Sequence, residues 1–304
     1  MPNWNELLNR VQSVGGPADV VRRQCLTDLQ NITGRNVIIY YSGWLQKLDA
    51  NVQLLSINDD DKNGFMTTIN RLDRSKGLDL VLHTPGGDLA AAESLVDYLR
   101  SMFKTDIRAI IPQMAMSCGT MIACACKTIL MGRESSLGPI DPQFGGVPAS
   151  GIIEEFQRAE KEVTDNPALI SIWQPIIAKY SPTLIGECEK AMHWSKDLVR
   201  QWLLSGMFEA DADSDERVNK IVEALADHAS TLSHARHLSP AKCKEIGLKV
   251  EMFEDNQKLQ DAILSVHHAC ILTLTQTMAC KIIENHLGTA FIKILAPTPL
   301  VTKV

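Results

Sequence analysis

The stretch AIIPQMAMSCGT, residues 109–120, decides the fold that this sequence predicts. Its apolar start is typical of a buried strand, which Pro112 and Gln113 interrupt. The run after this break leads to Ser117, where we expect a helix to begin. The stretch therefore predicts a strand, a turn and a helix, with Ser117 at the end of the turn.

A second stretch, DLVLHTPGGD at residues 79–88, has the same organisation. Pro85 and two glycines end an apolar run. Apolar residues then follow at helical spacing: Leu89, Ala92, Leu95, Val96, Leu99 and Phe103. Two successive strand–turn–helix units predict an α/β fold with a parallel sheet. Functional groups of such a sheet lie at the carboxyl ends of the strands, where both turns are expected.

Each turn has a structural explanation and a chemical one. A serine that starts a helix is commonly an N-cap, and Pro-Gly-Gly is commonly a plain connection. A hydroxyl at a helix start is also close to unpaired N–H groups and to the positive end of the helix dipole. Together the two turns could supply a nucleophile and an oxyanion hole, which is the arrangement that acyl transfer needs.

Several motifs resemble the Clp-protease and signal-peptide-peptidase group of serine peptidases. They are TPGG at 84–87, MSCG at 116–119 and IDPQFGG at 140–146. The chain resembles the serine dehydrogenase proteinase family more closely, and the resemblance runs from about residue 17 to about residue 290. The additional matching segments are GRNV at 34–37, YSGWL at 41–45, LDL at 78–80 and GPIDPQ at 138–143.

The resemblance implies an α/β spiral fold of the Clp–crotonase type, with repeated ββα units and added helices. It implies that Ser117 is the nucleophile of a serine peptidase. It also implies that the backbone N–H groups of Gly86 or Gly87, together with that of Cys118, form the oxyanion hole. The thiol of Cys118 is a weaker candidate nucleophile, because the family pattern places serine at the elbow.

The general base is where the chain departs from the Clp-protease pattern. That pattern has histidine where this chain has Asp141, and aspartate near Ala235. Asp141 could have exchanged roles with His234 or His237, because a catalytic triad is defined by geometry and not by chain order. Alternatively, Lys179 could be the base of a serine–lysine dyad, which requires burial to lower its pKa. The histidines and Asp141 could also be purely structural.

Composition restricts the class of protein. The chain has 304 residues, of which 45% are hydrophobic, so it can bury a full core. Its net charge of −6 gives no electrostatic reason to bind nucleic acid or an anionic membrane. Eight cysteines without CxxC pairs are typical of reduced thiols. The first residues lack the features of a signal peptide, and the longest apolar region, 107–131, is interrupted by polar residues. We therefore expect a cytoplasmic protein without a membrane span.

The pattern along the chain predicts three parts. Residues 1–30 form an N-terminal helical segment, residues 31–255 form the peptidase domain, and residues 256–304 form a C-terminal helical extension and tail. A helical insert at about 151–208 could cover the site or bind a neighbouring subunit. Its predicted packing anchors are Trp173, Trp194 and Trp202.

No metal or cofactor is predicted. The acidic run that begins at Asp59 resembles a calcium loop, but its twelfth position is Asn70 where a glutamate is required. We interpret the run as the start of a helix. His267 and His268 lack companion ligands for a metal.

The sequence thus predicts a cytosolic serine endopeptidase that acts on peptides or unfolded proteins and forms a homo-oligomeric ring or stack. It does not identify the substrate, the oligomer size or an ATP-driven unfoldase partner. Two alternatives stay open: a peptidase-fold scaffold without catalysis, and a crotonase-like acyl-CoA enzyme that uses the Gly86 and Gly87 donors for a thioester enolate.

Overall fold

The computed structural model describes residues 18–211, 214–226 and 236–295. Its strands are β1 (Asn36–Ser42), β2 (Leu78–His83), β3 (Ile107–Ile111), β4 (Met114–Ala115), β5 (Thr128–Met131), β6 (Ser136–Leu137), β7 (Gln143–Phe144), β8 (Val147–Pro148), β9 (Val250–Met252), β10 (Ala279–Asn285) and β11 (Ala290–Ile294). Its α-helices are α1 (Ala18–Thr33), α2 (Val52–Leu55), α3 (Asp61–Ile69), α4 (Leu89–Phe103), α5 (Cys118–Cys124), α6 (Ala149–Asp165), α7 (Ile170–Ile177), α8 (Leu184–Trp202), α9 (Ser214–Ala226), α10 (Pro240–Glu245) and α11 (Gln257–Gln276).

A seven-stranded sheet with the order β11-β10-β1-β2-β3-β5-β9 forms the centre. The strands β1, β2, β3, β5 and β9 are parallel, whereas β10 is antiparallel to β1 and β11 is antiparallel to β10. Every residue of β1 and β2 is buried, as expected for parallel strands with helices on both faces. The predicted strand–turn–helix units at β2 and β3 are confirmed.

The two faces of the sheet have separate apolar cores. Leu80 and Leu82 of β2 point towards a core that includes α3, α4, α5 and α9. Val81 points to the other face, where α1 and α11 pack. The alternation follows from the two-residue period of a strand. Burial of each such side chain contributes about 1.5–3 kcal/mol to folding.

A second, smaller layer continues past the ends of the central strands. The short strand β4 is parallel to β6, and single bridges join Thr84 to Ala115 and Leu137 to Leu238. The long strands β2, β3 and β5 are thus each followed by a short extended segment. This confirms the predicted ββα repeat. It also places the turns after Thr84 and Ala115 side by side.

The predicted helical insert contains α6, α7 and α8. Its own small core includes Ala149, Ile152 and Cys188. Trp173 and Trp202 are buried, as predicted for packing anchors, but the prediction for Trp194 is wrong because 39% of this residue is exposed. None of the helices in the described part of the chain is both long and apolar enough to cross a membrane.

The C-terminal region contains more than the predicted helix and tail. Helix α11 packs on the sheet beside α1. After it, β10 and β11 extend the central sheet next to β1. Residues 1–17 of the predicted N-terminal segment and the tail from residue 296 lie outside the described residues.

Candidate active site

Ser117 lies at a sharp elbow between β4 and α5. Its backbone angles are φ 51° and ψ −120°, a conformation that L-residues rarely adopt. Holding a residue in such a conformation costs about 1–3 kcal/mol, and residues of this kind are typical of functional sites. Its side chain makes no capping hydrogen bond to α5. The N-cap explanation therefore does not account for this serine.

The Pro-Gly-Gly turn packs directly against the elbow. Gly86 has φ +98°, and a Cβ on it would lie 2.6 Å from Cβ of Ser117 and 2.8 Å from the carbonyl oxygen of Met116. A Cβ on Gly87 would lie 2.3 Å from the backbone nitrogen of Ile57. Only glycine allows these approaches without displacing the backbone.

The backbone donors at the turn and the elbow differ in availability. The N–H of Gly86 donates to Oγ1 of Thr84 at 3.1 Å. Among the described residues, no oxygen atom accepts the N–H of Gly87. Ile57 pairs instead with the Gly86 carbonyl and with the Asp88 N–H, on either side of Gly87. The N–H of Cys118 is the first in α5 and has no intrahelical acceptor. Neither the N–H of Gly87 nor that of Cys118 is thus taken up by a backbone carbonyl of the described residues.

The thiol of Cys118 is buried and donates to the carbonyl oxygen of Gly87 at 3.1 Å. Burial raises its pKa to about 11. The thiol is therefore protonated at neutral pH, whereas a cysteine nucleophile must be a thiolate.

Asp141 is buried on the loop that follows β6. The flanking residues Ile140 and Pro142 line the cavity beside Ser117. Backbone hydrogen bonds fix both neighbours, because Ile140 N–H donates to Leu225 at 3.0 Å and the Pro142 carbonyl accepts from Ala149 at 2.9 Å. Asp141 therefore lies in a fixed position between two residues of the cavity wall, although Asp141 itself is not among the residues that line the cavity.

His237 directly precedes Leu238, which pairs with Leu137 of β6 through hydrogen bonds of 2.8 and 3.1 Å. The small layer thus connects the elbow, β6 and the segment of His237. The imidazole of His237 is exposed. His234 lies outside the described residues.

Lys179 is exposed in the turn after α7 and is not among the residues that line the cavity. A lysine acts as a base only where burial lowers its pKa, and Lys179 is not buried among the described residues.

A cavity of about 500 Å³ opens in front of Ser117. It lies between the two turns and the insert helix α8, which contributes Trp194 and Ser195. Most of its larger lining side chains are apolar: Val52, Leu89, Met121, Ile140, Phe144 and Trp194. Sequence reasoning missed Val52 and assigned Trp194 to packing, because neither residue belongs to a motif. In the part of the chain that the structure describes, no group of three or more His, Cys, Asp or Glu side chains is placed to hold a metal ion.

Two uncharacterized proteins of Methanocaldococcus jannaschii are similar to this chain. MJ1495 is 28% identical over 232 residues, which are 75% of this chain and 71% of that protein. MJ0137 is 28% identical over 195 residues, which are 64% of this chain and 60% of that protein.

A mutant of the 1510-N membrane-bound stomatin-specific protease is a similar solved structure, with 14% identity and a TM-score of 0.42 over 68% of this chain and 79% of that one. The sequence pattern of the family described as "ClpP-like SDH-type serine proteinase" matches residues 19–259. This match covers well over half of the chain and confirms the resemblance that the motifs predicted. The chain therefore belongs to the ClpP-like SDH-type serine proteinase family.

Proposed function

We propose that this protein is a serine endopeptidase in which Ser117 attacks the carbonyl carbon of a peptide bond. The observation that supports this most is the elbow itself. Ser117 has a positive φ, packs against the Gly86–Gly87 turn and borders the cavity, and its hydroxyl makes no capping hydrogen bond. A peptide carbonyl in this cavity could approach the hydroxyl and both turns together.

The N–H groups of Gly87 and Cys118 are the proposed oxyanion hole. Both are backbone donors that need no rearrangement when negative charge develops on the carbonyl oxygen. The N–H of Gly86 has a different role in this proposal, because its bond to Thr84 shapes the turn.

The proposed base is a histidine of an exchanged triad, either His234 or His237, with Asp141 as the orienting acid. The position of Asp141 beside the cavity and the pairing of Leu238 with Leu137 support this arrangement. The histidine would take the proton of Ser117 and give it to the leaving amine. Departure of the amine would leave the acyl-enzyme, an ester of Ser117. Water would then hydrolyse the ester and restore the hydroxyl.

We further propose unfolded or short peptides as substrates, a homo-oligomer and a cytosolic location. Ile170 and Ile172 of α7 are each 56% exposed, which suits a contact between subunits. All eight cysteines lie in the described part of the chain, where they are buried and form no disulfide, as is typical of a reducing compartment.

The nucleophile is tested with a fluorophosphonate probe and a casein or peptide assay on the wild type and on Ser117→Ala. We expect stoichiometric labelling of Ser117 in the wild type, with labelling and hydrolysis both lost in the variant. Removal of a catalytic nucleophile typically costs many powers of ten in rate. Unchanged hydrolysis by Ser117→Ala would refute the mechanism, and an inert, unlabelled wild type would favour the scaffold or the acyl-CoA enzyme.

The base is tested with His234→Ala, His237→Ala, Asp141→Asn and Lys179→Ala. We expect Asp141→Asn and one histidine variant to approach the rate of Ser117→Ala, while Lys179→Ala keeps wild-type activity. Activity should fall in acid, because a protonated imidazole cannot accept the proton of Ser117. Full activity in both histidine variants with an alkaline optimum would identify a lysine base instead.

A further inference from the structure

A buried ion pair lies behind the Gly86–Gly87 turn, and the proposed mechanism does not use it. Lys281 of β10 is fully buried, and its Nζ lies 2.8 and 2.9 Å from the carboxylate oxygens of Asp61. The hydroxyl of Tyr40 donates to the same carboxylate at 2.7 Å. A buried ion pair is weak evidence for a stabilising role in itself, because desolvation offsets its attraction. The groups that it contacts are therefore informative.

The first set of contacts runs through residues 56–58. Nζ of Lys281 donates to the carbonyl oxygen of Ser56 at 2.7 Å, and the N–H of Asn58 donates to Asp61 at 3.1 Å. The residue between them, Ile57, hydrogen-bonds to both sides of Gly87. Its N–H donates to the Gly86 carbonyl at 2.8 Å, and its carbonyl accepts from Asp88 N–H at 2.9 Å.

The second set of contacts runs through Thr84. Burial and then the charge of Asp61 raise the pKa of Tyr40 well above its ordinary value, while a hydrogen bond from the Thr84 hydroxyl opposes them. Oγ1 of Thr84 in turn accepts from the N–H of Gly86 at 3.1 Å. The Lys281–Asp61–Tyr40 cluster is therefore connected to the turn by two routes, one through the backbone of Ile57 and one through the side chain of Thr84.

We infer that the buried cluster of Lys281, Asp61 and Tyr40 holds the Gly86–Gly87 turn in the orientation that aims the N–H of Gly87 at the substrate carbonyl. These three residues are positioning residues, since none of them lines the cavity. The catalytic part of this inference rests on the proposed peptidase function, whereas the positioning of the turn does not.

The test compares Tyr40→Phe with Tyr41→Phe. Both tyrosines are buried neighbours on β1, and each hydroxyl hydrogen-bonds to a buried side chain at about 3 Å. Tyr41 points to the opposite face of the sheet and bonds to His267, away from the turn. The two variants thus remove the same atom from the same strand, and only Tyr40→Phe breaks the path to Thr84.

Two quantities are measured on each variant. Hydrogen exchange by mass spectrometry on a peptide spanning 84–88 reports the protection of the hydrogen-bonded amides of Gly86 and Asp88. Peptide hydrolysis gives kcat and KM separately. For Tyr40→Phe we expect exchange in this peptide to be about tenfold faster, the ratio that corresponds to the loss of one buried hydrogen bond. We also expect kcat to fall while KM stays near the wild-type value. For Tyr41→Phe neither quantity should change.

Unchanged exchange in Tyr40→Phe, or equal effects of both variants, would overturn the inference whether or not the wild type hydrolyses peptides. Faster exchange in Tyr40→Phe alone, combined with an inert wild type, would support the positioning role and refute the peptidase function. Faster exchange with an unchanged kcat would refute the catalytic part of the inference.

Discussion

At the scale of single residues, Gly86 and Ser117 restrict each other, because a Cβ on Gly86 would lie 2.6 Å from Cβ of Ser117. We predict that Gly86→Ala lowers kcat/KM about a hundredfold or more, the effect of losing an oxyanion donor, since the turn must move to admit a methyl group. Steady-state hydrolysis of a peptide by the folded variant checks this.

Gly34→Ala is the matched control. Gly34 also has a positive φ, of +68°, but a Cβ there would meet no atom within 4 Å. Both variants carry the cost of a left-handed alanine, about 1–2 kcal/mol, and only Gly86→Ala adds the collision with the nucleophile. Equal kcat/KM values for the two variants would show that close packing of the turn is unimportant for turnover.

The sequence predicts the elbow and the glycine turn well, because both are local. Each follows a buried strand and is made of residues whose backbone chemistry is distinctive, so Ser117 and the pair of Gly86 and Gly87 can be named without coordinates. The base is different. Leu137, four residues before Asp141, pairs with Leu238, which directly follows His237, and no local pattern encodes a pairing between residues about a hundred positions apart. The sequence therefore leaves the base open among its alternatives, and the exchanged triad stays a proposal.

The same distinction holds for whole elements. The helical periodicity of α11 is visible in the sequence. Strand β10, however, pairs with β1 residues about 240 positions away, and the local pattern at β10 predicts only a helix and tail. Helix α8 has two roles that one amphipathic pattern does not separate. Its buried residues include Cys188, Leu198 and Trp202, whereas Trp194 faces the cavity.

We therefore predict that Trp194→Ala changes substrate binding more than stability. Trp194 forms part of the apolar wall, so its loss should raise KM about tenfold for peptides with a large apolar residue next to the scissile bond. Because the side chain is 39% exposed, we expect the free energy of unfolding to change by only about 1 kcal/mol. Peptides with alanine at the same position are the control, and an equal rise in KM for both peptides would contradict this role.

The two faces of the sheet have different chemistry in the molecule as a whole. The cavity lies on one face, and a cluster of aromatic and histidine rings lies on the other, where the ring of His83 is 4.3 Å from that of Trp44 and 5.5 Å from that of His267. Burial lowers the pKa of His83 well below its ordinary value and lowers that of His267 to about 3, with charge repulsion between the rings as the smaller cause. Both rings are therefore neutral in the folded protein.

This cluster predicts that the protein loses stability in mild acid. A histidine whose pKa is lower in the folded state binds a proton first in the unfolded chain, so stability is full above pH ~6.5 and falls towards the folded pKa of about 3. For His267 the loss is about 2 kcal/mol at pH 5, from 1.36 kcal/mol for each pH unit below 6.5. Urea unfolding at pH 7.5 and pH 5 measures it.

The control variants separate this effect from the titration of carboxylates. His267→Gln keeps a polar partner for Tyr41 but cannot take up a proton, so the difference in unfolding free energy between the two pH values should shrink by about 2 kcal/mol. His193→Gln is the matched control, because it makes the same substitution at an 80% exposed side chain on α8, outside the ring cluster. If His267→Gln retained the whole pH dependence of the wild type, His267 could not be an origin of it. The cluster and Ser117 lie on opposite faces, so loss of stability in acid and loss of activity in acid are separate effects. We expect His267→Gln to change only the first, and the active His234→Ala or His237→Ala variant to change only the second.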